Sequence, residues 1–314
     1  MIKKAIIVPL LLGGVMIVLG GTIAGISAAA AGGFAALSTA EPYSARVIEV
    51  PAADLNINVE EENNKIVINT SETALTVSIT VYENNHETYV SSVDENDFTL
   101  VYHNDVPWIK RIFYVPTSLR TMTITIPKNY AASFHINNTN GVIDVDDISL
   151  QGELALETAN GLISVNNVDV TGNIDVRTTN SKIEITASSS LEDIAARSMN
   201  GYIVLDELTA VDIDAQTTNG KIAAEDIAAE NMKLATTNGQ VTTADIDVAT
   251  KIHLETTNGD IRGNVRGPST DYDIDSQTTN GSNNLAGFNS QVPSTGSKIL
   301  YARCYNGAIT ITFN

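Results

Sequence analysis

Hydrophobic and polar residues alternate with a period of two through most of the chain after residue 42, which predicts short β-strands with one buried side. In the second half, this alternation recurs around an Asn that is nearly always followed by Gly. Successive copies are 20, 20, 20, 19, 19, 20, 22 and 26 residues apart. The anchoring residues are Asn140, Asn160, Asn180, Asn200, Asn219, Asn238, Asn258, Asn280 and Asn306. So short a period indicates a solenoid, because each repeat must stack on its neighbours to bury its apolar side.

Each repeat has apolar positions on both sides of its Asn. Position −6 is apolar in every copy and position +3 in all but one, where Asn283 stands. We therefore predict two short strands per repeat, joined at the Asn-Gly corner with their apolar sides inward. Glycine is expected to supply a positive φ at that corner. An array of hairpins is the alternative, since Asn-Gly between strands is also a hairpin signal. Conservation of residue type column by column favours the coil.

The corner residues themselves predict hydrogen-bonded files. Position −2 is Thr in most copies, and by parity we expect this Thr and the Asn to point inward. The Asn amides would then bond from coil to coil, and the Thr hydroxyls would bond along the rod. Cys304 takes the Thr position in the last copy, so we predict a small buried thiol rather than a nucleophile.

The N-terminal segment predicts export. Lys3 and Lys4 are the last charged residues before Glu41, and residues 5–31 exceed the roughly 20 apolar residues that cross a bilayer. We expect a single membrane helix with the N-terminus in the cytoplasm and the remainder outside the cell. Cleavage among the small residues 27–33 is the alternative and would give a secreted protein. We assign residues 1–40 to the anchor or signal and its linker, 41–132 to an irregular β cap, and 133–314 to about nine coils of an all-β solenoid.

The net charge of the chain limits the classes of partner that it can bind. The formal net charge is −19, from 37 Asp and Glu against 18 Lys and Arg, which disfavours nucleic acid and favours cationic partners. A single Cys excludes an internal disulfide.

Catalytic chemistry has few candidates. Arg177 and Arg197 stack near Glu157, and His253 is expected one coil from Asp275. A carbohydrate-active lyase or hydrolase on a β-helix would need such residues to line a groove. We interpret them instead as ion pairs on an exposed face, so we expect no enzyme and no cofactor. The carboxylates at 144, 146 and 147 are at most a weak cation site, and the four histidines show no metal-ligand spacing.

Two stretched corners, Arg266–Thr270 and Pro293–Ser297, interrupt the last repeats. Insertions into a solenoid fall in loops on one side, so we expect these loops and the outward columns to contact a ligand.

The repeated TTNGxI pattern, the acidic β segment before it and the Lys-flanked N-terminal helix resemble the bacterial putative-adhesin family, which has a β-strand-repeat domain of unknown function. The resemblance covers roughly residues 42–314. It implies a surface-exposed, non-catalytic envelope protein, with some members linked to envelope-stress or antimicrobial-peptide responses, and it offers no catalytic motif to transfer. We therefore predict a membrane-tethered module for adhesion, binding or scaffolding. Its partner would be a cell-envelope component or a protein, with cationic peptides among the candidates.

Overall fold

The computed structural model describes residues 41–51, 54–107, 120–128, 130–288 and 297–314. Within these ranges the chain is all-β, with one 3-10 turn at Ser269–Asp271. No helix in the described ranges is long and apolar enough to cross a membrane, and the predicted membrane segment lies outside them.

The strands, in chain order, are β1 (Ser44–Glu49), β2 (Asn56–Glu61), β3 (Lys65–Ser71), β4 (Ser78–Glu83), β5 (Glu87–Asp94), β6 (Asp97–Asn104), β7 (Thr121–Pro127), β8 (Phe134–Asn138), β9 (Ile143–Leu150), β10 (Leu154–Thr158), β11 (Ile163–Val170), β12 (Ile174–Thr178), β13 (Ile183–Ser190), β14 (Ile194–Ser198), β15 (Ile203–Thr217), β16 (Ile222–Thr236), β17 (Val241–Thr256), β18 (Ile261–Val265), β19 (Tyr272–Thr278), β20 (Lys298–Cys304) and β21 (Ile309–Phe313).

The repeats form parallel coils. Strands one repeat apart pair in parallel and in register, so that Leu154 of β10 lies beside Ile174 of β12, and Ile163 of β11 beside Ile183 of β13. The strands before the Asn corner form one sheet, here called the front sheet, and the strands after it form the back sheet. The chain is thus a β-solenoid, and the hairpin alternative is wrong for the repeats.

Six successive coils, those of Asn140 to Asn238, have a second corner that the period-two pattern does not predict. Seven residues after the Asn, a residue other than glycine has a positive φ of 47–55°. These residues are Asp147, Asn167, Ala187, Glu207, Asp226 and Asp245. The alternation shifts phase here, since Asp146 and Asp147 are both exposed before the buried Ile148. The predicted second strand is therefore two short segments joined by a bend, and two successive exposed residues are its signal.

The steps of 19 residues arise at a third corner. Between β13 and β14 the corner consists of three exposed residues, 191–193. In the next coil, Val211 and Asp212 cover the same distance and β15 runs through without a break. One residue is thus lost at a surface corner, and the buried columns keep their register.

The coil pattern continues into the N-terminal region. Ile57 of β2 pairs with Phe134, and Ile66 of β3 with Ile143, so residues 56–71 form a further coil on the repeats. Strands β6 and β7 add parallel to β2 and β3. Strands β5, β4 and β1 then add in antiparallel order and cover this end of the stack.

The order of the last coils differs from their order in the chain. Strand β20 pairs with β17 on one side and with β19 on the other, and β21 pairs with β18. The final coil is therefore inserted between the coil of β17 and β19, and β19 is the outermost of the described strands at this end. His253 consequently pairs with Tyr301, and the expected position of Asp275 one coil from His253 is wrong. The turn at residues 266–271 carries the chain past the inserted coil, and most of the second stretched corner lies outside the described residues.

Aligned aliphatic columns build the core. All nine residues at position −6, from Phe134 to Leu300, are buried, as are Ile143, Ile222 and Ile309 at position +3. Each fully buried Ile contributes roughly 1.5–3 kcal/mol, so the columns supply the main stabilisation of the rod.

Candidate functional site

The corner Asn side chains form one hydrogen-bonded file along an edge of the rod. Each Nδ2 donates to the Oδ1 of the Asn in the adjoining coil at 2.7–2.8 Å. The file begins at Asn63, which accepts from Asn140, and it ends in the order Asn258, Asn306, Asn280. The side chains are exposed, so the expected inward orientation of the Asn is wrong. Regular alternation stops at the buried Thr two residues earlier, where the chain enters the turn.

The buried Thr at position −2 bonds to backbone rather than to other Thr residues. Thr236 donates its hydroxyl to the Gly220 carbonyl at 2.9 Å and accepts the Gly239 N–H at 3.1 Å. The prediction that these Thr residues are buried is confirmed for five of the six, since Thr278 is only half-buried, while the expected Thr-to-Thr bonding is wrong. Cys304 is buried in this slot as predicted, with its thiol 2.9 Å from the Gly259 carbonyl, and burial raises its pKa.

Corner glycine is required for close approach rather than for a positive φ. A Cβ at Gly220 would lie 1.8 Å from the carbonyl oxygen of Gly201, and Gly239 and Gly259 meet the same obstacle. Among the described glycines, only Gly263 and Gly267 have a positive φ, so the expected role of the corner glycine is wrong.

The outer side of the front sheet carries the most varied chemistry. This surface, here called the front face, consists of the residues at positions −5 and −3 of each coil. In order along the rod they are Asn58 and Glu60, His135 and Asn137, Ala155 and Glu157, Asp175 and Arg177, Ala195 and Arg197, Asp214 and Gln216, Lys233 and Ala235, His253 and Glu255, Tyr301 and Arg303, and Asp275 and Gln277.

Ion pairs occupy the middle of the front face. Arg177 contacts Asp175 at 2.6 Å, and Arg197 contacts Asp214 at 3.2 Å and Asp175 at 3.7 Å. The hydrogen bonds that Arg177 donates to Asp175 raise the pKa of Arg177, and the attraction of the same carboxylate is the next cause. The front-face carboxylates Asp175 and Asp214 are thus each held by a guanidinium.

The front face has shallow, open depressions. One of about 350 Å³ lies over Ala155, where the small side chain leaves a gap between His135 and Asp175. Another of about 410 Å³ lies beside Ala235. They follow the sheet surface, which suits an extended ligand better than a small molecule enclosed on all sides.

Aromatic and cationic side chains meet near the C-terminal end of this face. The ring of His253 lies 4.4 Å from that of Tyr301, and the Arg303 guanidinium lies 4.8 Å from the same tyrosine ring. Arg303 also contacts Asp275 at 3.0 Å. This contact raises the pKa of Arg303, first through the hydrogen bond.

The suggested weak cation site has other partners. Asp146 accepts from Asn166 at 2.6 Å, and Asp144 pairs with Lys65 at 3.0 Å. Among the described residues, no group of three or more His, Cys, Asp or Glu side chains is arranged to hold a metal ion.

Comparison with known proteins identifies the family. The model of the Toastrack DUF4097 family matches residues 54–300, which include the first coil, strands β4 to β7 and the repeats as far as the start of β20. The chain belongs to this Toastrack family. That assignment agrees with the resemblance found in the repeat pattern, a β-repeat domain of unknown function.

Solved structures of similar shape have adhesion-related names. A putative adhesin from Bacteroides fragilis NCTC 9343 is 13% identical, with a TM-score of 0.45, over 88% of this chain and 99% of that one. A putative cell adhesion protein from Clostridium sporogenes ATCC 15579 is 15% identical, with a TM-score of 0.30, over 87% and 100%. A search of curated proteins finds no match to this sequence.

At the N-terminal end of the Toastrack domain, sequence reasoning missed a buried polar cluster. Glu61 and Glu87 are each 4% exposed. Tyr89 donates its hydroxyl to Glu61, Tyr102 donates to Glu87, and Arg120 contacts Glu87 at 3.5 Å. The backbone N–H of residue 62 also donates to Glu61 at 2.9 Å. The cluster joins β2, β5, β6 and the start of β7, segments far apart in the chain, so no local pattern reveals it.

Burial determines the protonation of this Toastrack cluster. It raises the pKa of Tyr89 well above its usual range, with the charge of Glu61 as the next cause. The pKa of Tyr102 is raised first by burial and then by its hydrogen bond to Glu87. Burial lowers the pKa of Arg120 to about 10. At neutral pH the phenols therefore remain neutral donors, and the cluster serves to attach the cap.

Proposed function

We propose that this Toastrack domain is a non-catalytic binding module that engages an extended cell-envelope component or protein partner along the front face. The observation that carries the proposal is the run of open depressions between preformed ion pairs on that face. Side chains held by neighbours lose little conformational freedom on binding, which favours affinity.

Enzymatic activity on a polysaccharide is the alternative, and the geometry supports it less well. An acid and a nucleophile would have to converge on one bond in a groove. Instead, Arg177 and Arg197 hold Asp175, and Arg197 together with Gln216 holds Asp214.

The proposed location and partner class are supported by the composition of the whole chain. The apolar run at residues 5–31 supports export and a membrane tether, with the domain outside the cell, or secretion after cleavage. The net charge of −19 supports a neutral or cationic partner, cationic peptides included, and disfavours nucleic acid. A role in the envelope-stress response rests on family resemblance alone.

Co-sedimentation with isolated cell-wall material tests the proposal. We expect the full-length chain to sediment with this material, and R177A together with R197A to weaken the association. K221A, an exposed cation outside the front face, is the matched control and should bind like the parent. Equal binding by all variants would contradict the front-face assignment, and release of soluble sugars by the parent but not the variants would favour the enzyme.

A further inference from the structure

The Asn-Gly corner carries a chemistry of its own. In such a pair, the glycine nitrogen attacks Cγ of the Asn side chain, a C–N bond forms, and the amide nitrogen leaves as ammonia. Water then opens the resulting succinimide to aspartate or isoaspartate, so the net reaction consumes one water and releases one ammonia. We propose that deamidation of the folded protein is directed to one end of the Asn file, at Asn280. This inference does not depend on the proposed binding function.

Two conditions control the attack. The Asn side chain must rotate to bring Cγ against the next backbone nitrogen, and that nitrogen must give up its proton. Hydrogen bonds to the Asn amide oppose the rotation, and a hydrogen bond from the glycine N–H opposes the loss of the proton.

Inside the rod both conditions are blocked. Asn219 donates to Asn200 and accepts from Asn238, each at 2.7 Å, so its amide is held on both sides. The N–H of Gly220 donates to Thr217 at 3.2 Å. Asn238 is held in the same way, with the Gly239 N–H bound to Thr236 at 3.1 Å.

At the outermost coil neither condition is fully blocked. Asn280 donates to Asn306 at 2.8 Å, but within the described residues its Oδ1 receives no hydrogen bond, because no coil lies beyond it. The N–H of Gly281 likewise has no acceptor in the described part of the chain, and both residues are exposed. Asn258 and Asn306 are intermediate, since their amides are held on both sides while no bond holds the N–H of the following glycine in the described structure.

The product changes the end of the file. A carboxylate at position 280 cannot donate to the Oδ1 of Asn306, so the outermost side-chain bond is replaced by repulsion between oxygens. The coils within the rod keep their bonds. The position of β20 between β17 and β19 therefore decides which Asn deamidates first, because it leaves Asn280 rather than Asn306, the last corner Asn in the chain, at the end of the file.

Peptide mapping by mass spectrometry tests the assignment. The full-length chain is incubated in mildly alkaline ¹⁸O-labelled water, and conversion at each Asn is followed in time, folded and in denaturant. With hydrogen bonds of ordinary net strength lost at both the amide and the N–H, Asn280 should convert about tenfold or more faster than Asn219 when folded. The sites should become similar in denaturant.

A matched pair of variants tests the cause. T236V removes the acceptor of the Gly239 N–H and should accelerate conversion at Asn238, whereas T237V alters a neighbouring exposed Thr and should not. Thermal melting checks that both variants remain folded. Equal conversion at all sites in the folded chain, or fastest conversion at an interior Asn, would overturn the proposal.

Discussion

The regular coils and the N-terminal cap fill the same structural slot in different ways. Position −2 of a coil is usually Thr in the repeats, as at Thr158, and it is Glu61 in the first coil. Glu61 lies beside Asn138, which in turn lies beside Thr158. In the repeats, the Thr hydroxyl at this position donates a hydrogen bond to a backbone carbonyl of the adjoining coil. At the N-terminal end of the stack, the covering strands contribute the phenols of Tyr89 and Tyr102 and the guanidinium of Arg120. These groups bind the buried carboxylates of Glu61 and Glu87. In the repeats, the buried polar side chain at position −2 therefore finds its hydrogen-bond partners in the adjoining coil. In the cap, the partners come from distant parts of the chain.

The largest expected effect lies in the coil columns. I222D places an unpaired charge in a fully buried position, and we expect a loss of more than about 4 kcal/mol in the free energy of unfolding. D214A removes only a partly exposed pair with Arg197 and should cost less than about 1 kcal/mol. Denaturant melts followed by circular dichroism measure both. Equally mild effects would break the column assignment.

A smaller but still large effect should separate the cap from the coils. E61A leaves the Tyr89 hydroxyl and the N–H of residue 62 without their acceptor, at a cost of roughly 2–4 kcal/mol. We expect hydrogen exchange to accelerate in β5 and β6 while β15 to β17 stay protected. T158V is the control in the equivalent coil slot, with an expected cost of about 1 kcal/mol. Uniform acceleration along the rod for E61A would show that the cap is not a separate unit.

The close approach of adjoining coils at the corner glycines predicts a moderate loss of stability when a glycine is replaced. G220A puts a Cβ 1.8 Å from the Gly201 oxygen, and forcing the coils apart should cost about 1–3 kcal/mol. G287A is the control, because nothing lies within 4 Å of the added Cβ. The natural Ser181 shows that one corner accommodates a side chain, with its hydroxyl bonded to the Asn160 carbonyl. Thermal melts in which the two variants match would contradict the close-approach argument.

The smallest expected effect is the loss of cap stability when the phenols of Tyr89 and Tyr102 ionise. It is absent at neutral pH and appears only in alkali. Their folded pKa values are raised above those of the unfolded chain, so their contribution is complete below about pH 10 and is lost as pH rises further. Arg120, whose pKa falls to about 10, acts in the opposite sense, so the net loss rests on the two tyrosines. We expect hydrogen exchange in the cap to rise with alkalinity before that of the coils. Simultaneous loss of protection in both would contradict this order.

The sequence predicted what repetition determines. The buried columns at −6 and +3 and the buried Thr file follow from parity, because each coil repeats the environment of the one before. The direction of the Asn side chains and the role of the corner glycine did not follow, since both depend on the turn geometry where alternation stops. The positive-φ bend at Asp147 does not follow from period-two alternation, because two successive polar residues interrupt that pattern without showing that the backbone bends.

Long-range features could not be predicted. Nothing local links Glu61 to Tyr89 or Glu87 to Tyr102 and Arg120. The reversed stacking order of the last two coils could not be predicted either. All the corners carry the same motif, so the sequence does not show which coil lies beside which. The front face was anticipated as a set of outward columns, but the pairing of Arg197 with two carboxylates depends on the stacking geometry.

Disulfide trapping across the exchanged coils tests the solenoid order most directly. In a chain carrying C304S, cysteines at Thr257 and Tyr305 would lie in adjoining coils, about 4.8 Å apart, within the Cα range of a disulfide. Cysteines at Thr257 and Thr279 would lie two coils apart, about 10 Å, beyond that range. We predict efficient crosslinking of the first pair and none of the second. Crosslinking of the second pair without the first would show that the coils stack in chain order and would contradict the inserted final coil.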